Sequence, residues 1–403
     1  MTTEHADRAR MPLVGIGASA GGLQALKRFF ETVPDDLGAA YVVVVHLAPD
    51  HDSELDAILA HHTKMPVVQV GDHRHEPLRP DCVYVIAPDR KLEITDTAVG
   101  ASPFEQPRGQ RAAIDLFFRS LAAAPGRIFA VVLSGGGSDG AAGAEQVKEA
   151  GGLVLVQDPA QALHESMPGS VIARGAADVV LPVAELAQRL ARLIRDGDAV
   201  APLATVPTHE PQVEQAQAAA LARVLDLLRR RTGHDFSKYK RTTVLRRLLR
   251  RIQLHHLHSI ADYLDYLQEH AEEVQHLLDD FLITVTSFFR DPDAWQALQE
   301  RVIGPLVEDA DPDEPIRCWV AGCASGEEAY TLAMLIAEEI ERRKIDREFT
   351  IFASDVDERA LAVARQGRYP LSIGADVSDA RLKRWLERVD QHYIVVRELR
   401  DHL

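Results

Sequence analysis

Gly17-Ala18-Ser19-Ala20-Gly21 matches the pattern G-x-S-x-G, in which flanking glycines let a serine hydroxyl stand clear of a strand-to-helix turn. A serine there is a nucleophile only if a base can take its proton and an acid can orient that base. Two residues qualify. His46 closes the apolar run Tyr41-Val42-Val43-Val44-Val45, and Asp139 lies in Ser134-Gly135-Gly136-Gly137-Ser138-Asp139-Gly140, between an apolar run and a helical stretch. Together the three would carry out acyl transfer, with the glycines of the second loop directing backbone N–H groups at an oxyanion. The plainer reading of the Ser19 turn is a phosphate- or dinucleotide-binding corner. An acid should then end the second strand to hold a ribose, and that place is taken by His46. The chain order Ser, His, Asp also departs from the Ser, Asp, His order of α/β-hydrolases.

A second group of residues suits a nucleoside cofactor. The apolar run Arg317-Cys318-Trp319-Val320 leads into Ala321-Gly322-Cys323-Ala324-Ser325-Gly326-Glu327-Glu328, where small residues let the backbone approach a ligand. Glu328 could accept from an amine or a hydroxyl. The next strand ends in Ser354-Asp355-Val356-Asp357, and an acid at that place suits a ribose diol. The alternative is a generic βα corner with a surface acid.

These residues need strands to carry them. Short β-branched runs predict strands over 13–16, 41–46, 67–70, 82–86, 128–133, 153–156 and 179–181. Helical spacing predicts helices over 23–32, 53–62, 113–123, 141–150 and 183–194. Runs apolar on both faces imply parallel strands covered by helices, hence a doubly wound α/β domain. Residues 73–102 read as a hairpin excursion joined at Pro88-Asp89. The prolines and alanines of 196–212 read as a linker. Helices follow over 213–231, 243–256, 260–269 and 274–283, then a partial Rossmann-like unit with strands over 317–320 and 350–353 and helices over 327–342 and 358–366. A helix over 379–389 and a strand over 393–396 close the chain. The expected division is a disordered N-terminus (1–12), an α/β domain (13–195), a linker (196–212), an all-α domain (213–290) and a partial α/β domain (291–403).

Composition narrows the class. The 403 residues carry a net charge of -16, which argues against nucleic acid as the partner of the whole chain. Ten Lys and Arg between Arg229 and Arg251 are the local exception. No apolar run reaches membrane-span length and no signal peptide opens the chain, so a cytoplasmic location is expected. The 3 cysteines are too few and scattered for a disulfide framework. His255, His256 and His258 point in different directions on a helix, so no metal site is expected there.

The order Ser19, His46, Asp139 and the loops around them resemble the catalytic domain of the bacterial chemotaxis protein-glutamate methylesterase, CheB. Arg111-Ala112-Ala113-Ile114-Asp115-Leu116-Phe117 and Met167-Pro168-Gly169-Ser170-Val171-Ile172 are similar stretches. The resemblance implies that Ser19 is the nucleophile, His46 the general base and acid, and Asp139 the orienting carboxylate. It implies oxyanion donors at the Ala20 and Gly136 N–H groups, and no cofactor for this half. The family commonly carries methionine where Gly136 stands. The residues before Leu13 are too short for a regulatory receiver domain, so control through one is not expected.

Thr284-Val285-Thr286-Ser287-Phe288-Phe289-Arg290-Asp291, with the stretches from Ala321 and from Ala353, resembles the chemotaxis glutamate O-methyltransferase family, CheR. The resemblance implies binding of S-adenosylmethionine by Thr286, Gly322, Glu328 and Asp355, with Arg290 holding the acceptor glutamate. Thr284 stands where the family usually has asparagine. The family's later strand, with its Arg-Asn motif, has no counterpart after Val396, so a methyltransferase domain cut short and weak cofactor binding are expected. The implied partners are the glutamate-rich methylation helices of chemoreceptors, with Arg246, Arg247, Arg250 and Arg251 as a complementary basic helix surface. The other reading carried forward is a non-catalytic receptor-binding scaffold.

Overall fold

The computed structural model describes residues 11–46, 53–71, 75–95, 97–104, 111–204, 211–282, 286–309, 314–390 and 392–403. Residues 1–10, most of the expected N-terminal tail, and Thr284 lie outside them. The chain divides into two compact units, one holding 1–105 and 112–283, the other 106–111 and 284–403.

The first unit is built on a seven-stranded parallel sheet. Its strands are β1 (Leu13–Ala18), β2 (Ala40–Val45), β3 (Val67–Val70), β5 (Cys82–Ile86), β8 (Ile128–Val132), β9 (Leu153–Gln157) and β10 (Val179–Leu181), in the order β10-β9-β8-β1-β2-β5-β3. The crossovers include α1 (Gly22–Thr32), α2 (Leu55–Ala60), α3 (Ala113–Ala123), α4 (Ala141–Glu149), α5 (Ser166–Ala173) and α6 (Val183–Ala204). One sheet face buries Val42, Val44, Ala130 and Val132 under Ile114, Phe117 and Phe118 of α3, Ala144 and Val147 of α4 and Met167 of α5. The other buries Val14, Ile16, Tyr41 and Val131 under Leu26 and Phe29 of α1 and Leu186, Leu190 and Leu193 of α6. Apolar residues on both faces of each strand follow from this double cover. The chain leaves the central β1 for β2 on one side and later returns to β8 on the other. Their carboxyl ends therefore meet at a crevice with no crossover lying over it.

Two expectations change here. The excursion is not a hairpin turning at Pro88-Asp89, because β5 belongs to the main sheet. The antiparallel pairing is between β6 (Arg90–Ile94) and β7 (Ala98–Pro103), with β4 (His75–Pro77) on the far side of β7. β5 is apolar at all five positions and buried on both faces, which suits the parallel sheet better than a hairpin. Helix α6 also runs on to Ala204, through residues read as linker; 205–210 lie outside the described residues. Gly197 does not end it, and the absent side chain gives room to the Arg127 guanidinium, which donates to the carbonyls of Leu193 and Ile194.

The same unit contains the helical module, α7 (Pro211–Thr232), α8 (Arg241–Leu254), α9 (Ile260–Glu269) and α10 (Ala271–Phe281), around a core of Leu228, Leu248, Ile252, Tyr263, Leu267 and Leu277. Here the expected basic docking face shrinks to Arg246, which is exposed. Arg247, Arg250 and Arg251 are buried. Arg250 pairs with Asp178 of the sheet domain and Asp280 of α10, and its Nε donates to the Gly152 carbonyl at 3.0 Å. Lys148, at the end of α4, reaches Asp280 at 3.3 Å. Leu254 joins the core beneath α6, and Gln253 Nε2 donates to the Leu193 carbonyl at 3.1 Å. Periodicity placed these arginines on a helix, but acids distant in sequence turn that face inward.

The second unit carries α11 (Pro292–Leu298), α12 (Gly304–Asp309), β11 (Ile316–Ala321), α13 (Glu327–Arg343), β12 (Phe349–Ser354) and α14 (Glu358–Gln366). β11 and β12 pair in parallel from Ile316↔Phe349 to Ala321↔Ser354. Ile316, Val320 and Ile351 face α13, while Trp319 and Phe352 on the other face are 73% and 58% exposed. The helix expected over 379–389 stops at Trp385 as α15 (Asp379–Trp385). Leu386–Val389 is instead a strand, β14, which pairs antiparallel with β15 (His392–Val395) and, through it, with β13 (Arg368–Pro370). Asp390, at φ 53, makes the turn that lets the chain fold back into this pairing. Among the described residues, no helix is long and apolar enough to cross a membrane.

Candidate active sites

Ser19, His46 and Asp139 follow β1, β2 and β8, three neighbouring strands in register, with Ala18 opposite Val45 and Gly17 opposite Val132. The Ser19 hydroxyl lies 3.0 Å from His46 Nδ1, and His46 Nε2 lies 2.7 Å from Asp139 Oδ2. Hydrogen on Nε2 satisfies the carboxylate and leaves the Nδ1 lone pair facing the serine. The ring is turned relative to the usual arrangement, in which Nε2 serves the nucleophile. Burial works against the charged ring. The hydrogen bond to Asp139 and the charges of Asp139 and Asp115 outweigh it, and the imidazole pKa lies above its ordinary value.

Small residues make this convergence possible. A Cβ on Gly17 would stand 2.5 Å from Ile114 Cγ2, so glycine lets the start of α3 approach the end of β1. That brings two unpaired N–H groups of the first turn of α3 to the Asp139 carboxylate: Ile114 N–H to Oδ2 at 3.0 Å and Asp115 N–H to Oδ1 at 2.8 Å. Gly21, at φ 73, makes the left-handed step into α1. Gly135 is wedged between the Met167 thioether and Ser19 Cβ.

The serine turn is pinned from beneath. Ser19 N–H donates to the Ser134 carbonyl at 3.0 Å, Ser134 Oγ donates to the Ala20 carbonyl at 3.0 Å, and Ser134 N–H donates to Gln157 Oε1 at 2.8 Å. The N–H groups of Ala20 and Gly136 make no hydrogen bond among the described residues, and the space where a Gly136 Cβ would stand is open. Residue type and spacing alone assign no role to Ser134, Gln157 or Asp115. Gln157 had a signal, a polar residue closing an otherwise apolar strand. Asp115 had another, a carboxylate amid Ile114, Phe117 and Phe118.

In the second unit, Gly322 follows β11 at φ 76 with open space where a Cβ would stand. Its N–H donates to the Ser354 carbonyl at 2.7 Å. Asp355 ties the two strand ends together: Oδ2 accepts the Ala324 N–H and Oδ1 the Asp357 N–H, both at 2.8 Å. Each oxygen keeps a lone pair, but the acid is a loop clasp before it is a ribose ligand. Glu328 is exposed on the first turn of α13, Arg290 is exposed and Thr286 half-buried. An open, glycine-lined strand end with two acids fits a nucleoside bearing hydroxyl and amine groups.

Comparison with known proteins agrees with both halves. A family model described as CheB methylesterase matches residues 14–190. A Leptospira interrogans protein described as a protein-glutamate methylesterase/protein-glutamine glutaminase is 33% identical over 180 residues, 44% of this chain and 92% of that one. The chain belongs to the CheB methylesterase family. Residues 219–282 match the all-alpha domain of CheR methyltransferase and 284–403 its SAM binding domain, so a CheB domain is joined to both CheR domains. An uncharacterised 104.1 kDa protein of Rhodobacter capsulatus is 37% identical over 360 residues, 85% of this chain and 38% of that one. A Nocardioides methylesterase/glutaminase is 38% identical over 196 residues, 47% of this chain. The chain spans 53% of the length of that second relative. The catalytic domain of Thermotoga maritima CheB is 30% identical and covers 45% of this chain and 98% of its own, with a TM-score of 0.42.

Proposed function

We propose that the CheB half hydrolyses γ-methyl esters of glutamate side chains in receptor proteins, with Ser19 as nucleophile, His46 as base and acid, and Asp139 as orienting carboxylate. The observation that carries this reading is the unbroken hydrogen-bonded chain from Ser19 through His46 to Asp139. Ser19 Oγ attacks the ester carbonyl carbon as His46 Nδ1 takes the hydroxyl proton. The Ala20 and Gly136 N–H groups receive the oxyanion. The carbon–methoxy bond breaks as His46 returns the proton to the leaving oxygen, and methanol departs. Water, deprotonated by the same nitrogen, then cleaves the acyl-enzyme to glutamate and free Ser19. Loss of ammonia from a glutamine side chain would follow the same path.

The CheR half works in the opposite direction on the same side chains. Thr286, Gly322, Glu328 and Asp355 would hold S-adenosylmethionine, which supplies the methyl group when bound. Arg290 would hold the acceptor carboxylate, and the chain contributes chiefly position and exclusion of water. The partners on this reading are glutamate-rich methylation helices of chemoreceptors, met in the cytoplasm.

Incubation with methyl-esterified receptor should release methanol, and Ser19→Ala should abolish the release. Unchanged release from that variant overturns the triad. A parent chain that binds the receptor and releases none is a receptor-binding scaffold instead.

A further inference from the structure

The CheB half holds a second buried carboxyl, Asp115, which the reaction above does not use. It is 1% exposed, in the first turn of α3. An acid there commonly serves its own helix, but Asp115 Oδ1 accepts the Gly143 N–H of the neighbouring helix α4 at 2.7 Å. Its Oδ2 is buried and makes no hydrogen bond among the described residues. The arrangement is reciprocal. Asp139, just before α4, takes the first N–H groups of α3, and Asp115, at the start of α3, takes an N–H from the first turn of α4. Gly143 lets the helices meet, since a Cβ there would stand 2.6 Å from Phe118 Cβ and 2.8 Å from the Asp115 carbonyl.

We propose that Asp115 is a positioning residue of the esterase site: it clasps the loop that carries Asp139 and sets a second negative charge behind the Asp139–His46 pair. The proposal rests on the triad reading above. The charged and titratable groups facing Asp115 are Asp139 from the β8–α4 loop, Arg119 further along α3, Arg174 after α5, and His46 beyond Asp139. Burial, with the charge of Asp139, pushes the Asp115 carboxyl up to about 7, against the pull of the Gly143 N–H and the two arginines. Its ionisation near neutral pH then strengthens the hold of His46 on a proton, and the imidazolium formed during ester attack is stabilised by both carboxylates.

Asp115→Asn tests this, because the amide oxygen can still accept the Gly143 N–H while the charge is lost. The imidazole resonances of His46, followed by NMR against pH, should titrate at lower pH in the variant than in the parent. The acid limb of kcat/KM for ester hydrolysis should move the same way. A merely structural role would lower activity without moving either. A folded variant in which His46 titrates as in the parent overturns the proposal. Should the variant not fold, the parent decides: His46 should titrate in two steps as the Asp115 carboxyl carbon titrates near neutrality, and a single step with Asp115 ionised throughout refutes it. Methanol release unaffected by Ser19→Ala would sink the triad while leaving the His46 comparison readable, so the two failures are distinguishable.

Discussion

Asp139→Asn is nearly isosteric, yet the structure assigns it a definite loss. Three N–H donors converge on the carboxylate: His46 Nε2 and the Ile114 N–H at Oδ2, and the Asp115 N–H at Oδ1. An amide offers one oxygen. Placed at the Oδ2 position, it keeps His46 and Ile114 but turns its NH2 against the Asp115 N–H, leaving a buried donor unpaired at about 1–3 kcal/mol. The reverse orientation abandons two donors, so the first should prevail and the Nε2–H tautomer should survive. What catalysis then loses is the charge behind the imidazolium. A hydrogen bond to a charged group is worth about 1.5–3 kcal/mol, or roughly 10- to 150-fold in kcat. That is well short of the roughly 10⁴-fold fall seen when such a substitution imposes the wrong tautomer. Methanol release gives kcat, and the thermal midpoint should fall alongside it. Activity within about threefold of the parent would remove Asp139 from the site. A fall to the level of Ser19→Ala with unchanged stability would refute the donor count.

Two further outcomes follow from other parts of the chain. Glu273, buried on α10, accepts from Arg251 Nε at 2.7 Å, from His255 at 2.9 Å and from Tyr263 Oη at 2.6 Å. Burial alone would raise its pKa, but these partners hold it down at about 2, against 4.5 for the free group. A depressed carboxylate stabilises the fold fully above pH 4.5 and loses that contribution as pH falls towards about 2, amounting to roughly 3 kcal/mol. Glu273→Gln should therefore weaken the helical module at neutral pH and flatten its acid sensitivity. All 3 tryptophans (Trp295, Trp319, Trp385) lie in the other unit, so hydrogen exchange of α8–α10 is the measurement; equal acid sensitivity in both proteins would contradict it. Asp355→Ala should release the Ala324 and Asp357 N–H groups and lower affinity for S-adenosylmethionine by roughly tenfold or more in calorimetry. Equal affinity in parent and variant would remove Asp355 from the cofactor site.

Much of the fold was legible because its signals are local. All seven strands of the first sheet lie within two residues of their expected bounds, since runs such as Tyr41–Val45 have one stable use, a parallel strand covered on both faces. Ser19, His46 and Asp139 were legible as candidates because glycines and strand ends mark them, and their side chains do converge. Leu386–Val389 was read as helix because its pattern fits either state over so short a run, and pairing with β15 decided between them. The inward turn of Arg247, Arg250 and Arg251 on α8 is hidden from the sequence for another reason. A charge run says nothing about which face it occupies until acids from elsewhere in the chain, here Asp178, Glu273 and Asp280, are brought beside it.

The sequence by itself determined the order of the two modules along the chain and brought out three residues on which ester hydrolysis would turn. Those follow from residue type and spacing together with the family resemblance they carry, all of them properties of the chain alone. Tertiary structure decided what surrounds them: which imidazole nitrogen faces Ser19, which N–H groups hold Asp139, and the hydrogen bonds that tie Ser134, Gln157 and Asp115 to the neighbouring loops and helix ends. Each depends on a contact between residues far apart in sequence, Asp115 and Gly143 or Ser134 and Gln157, and no periodicity encodes such a contact. It appears only when close packing at Gly17 and Gly143 brings helix ends and strand ends to one rim.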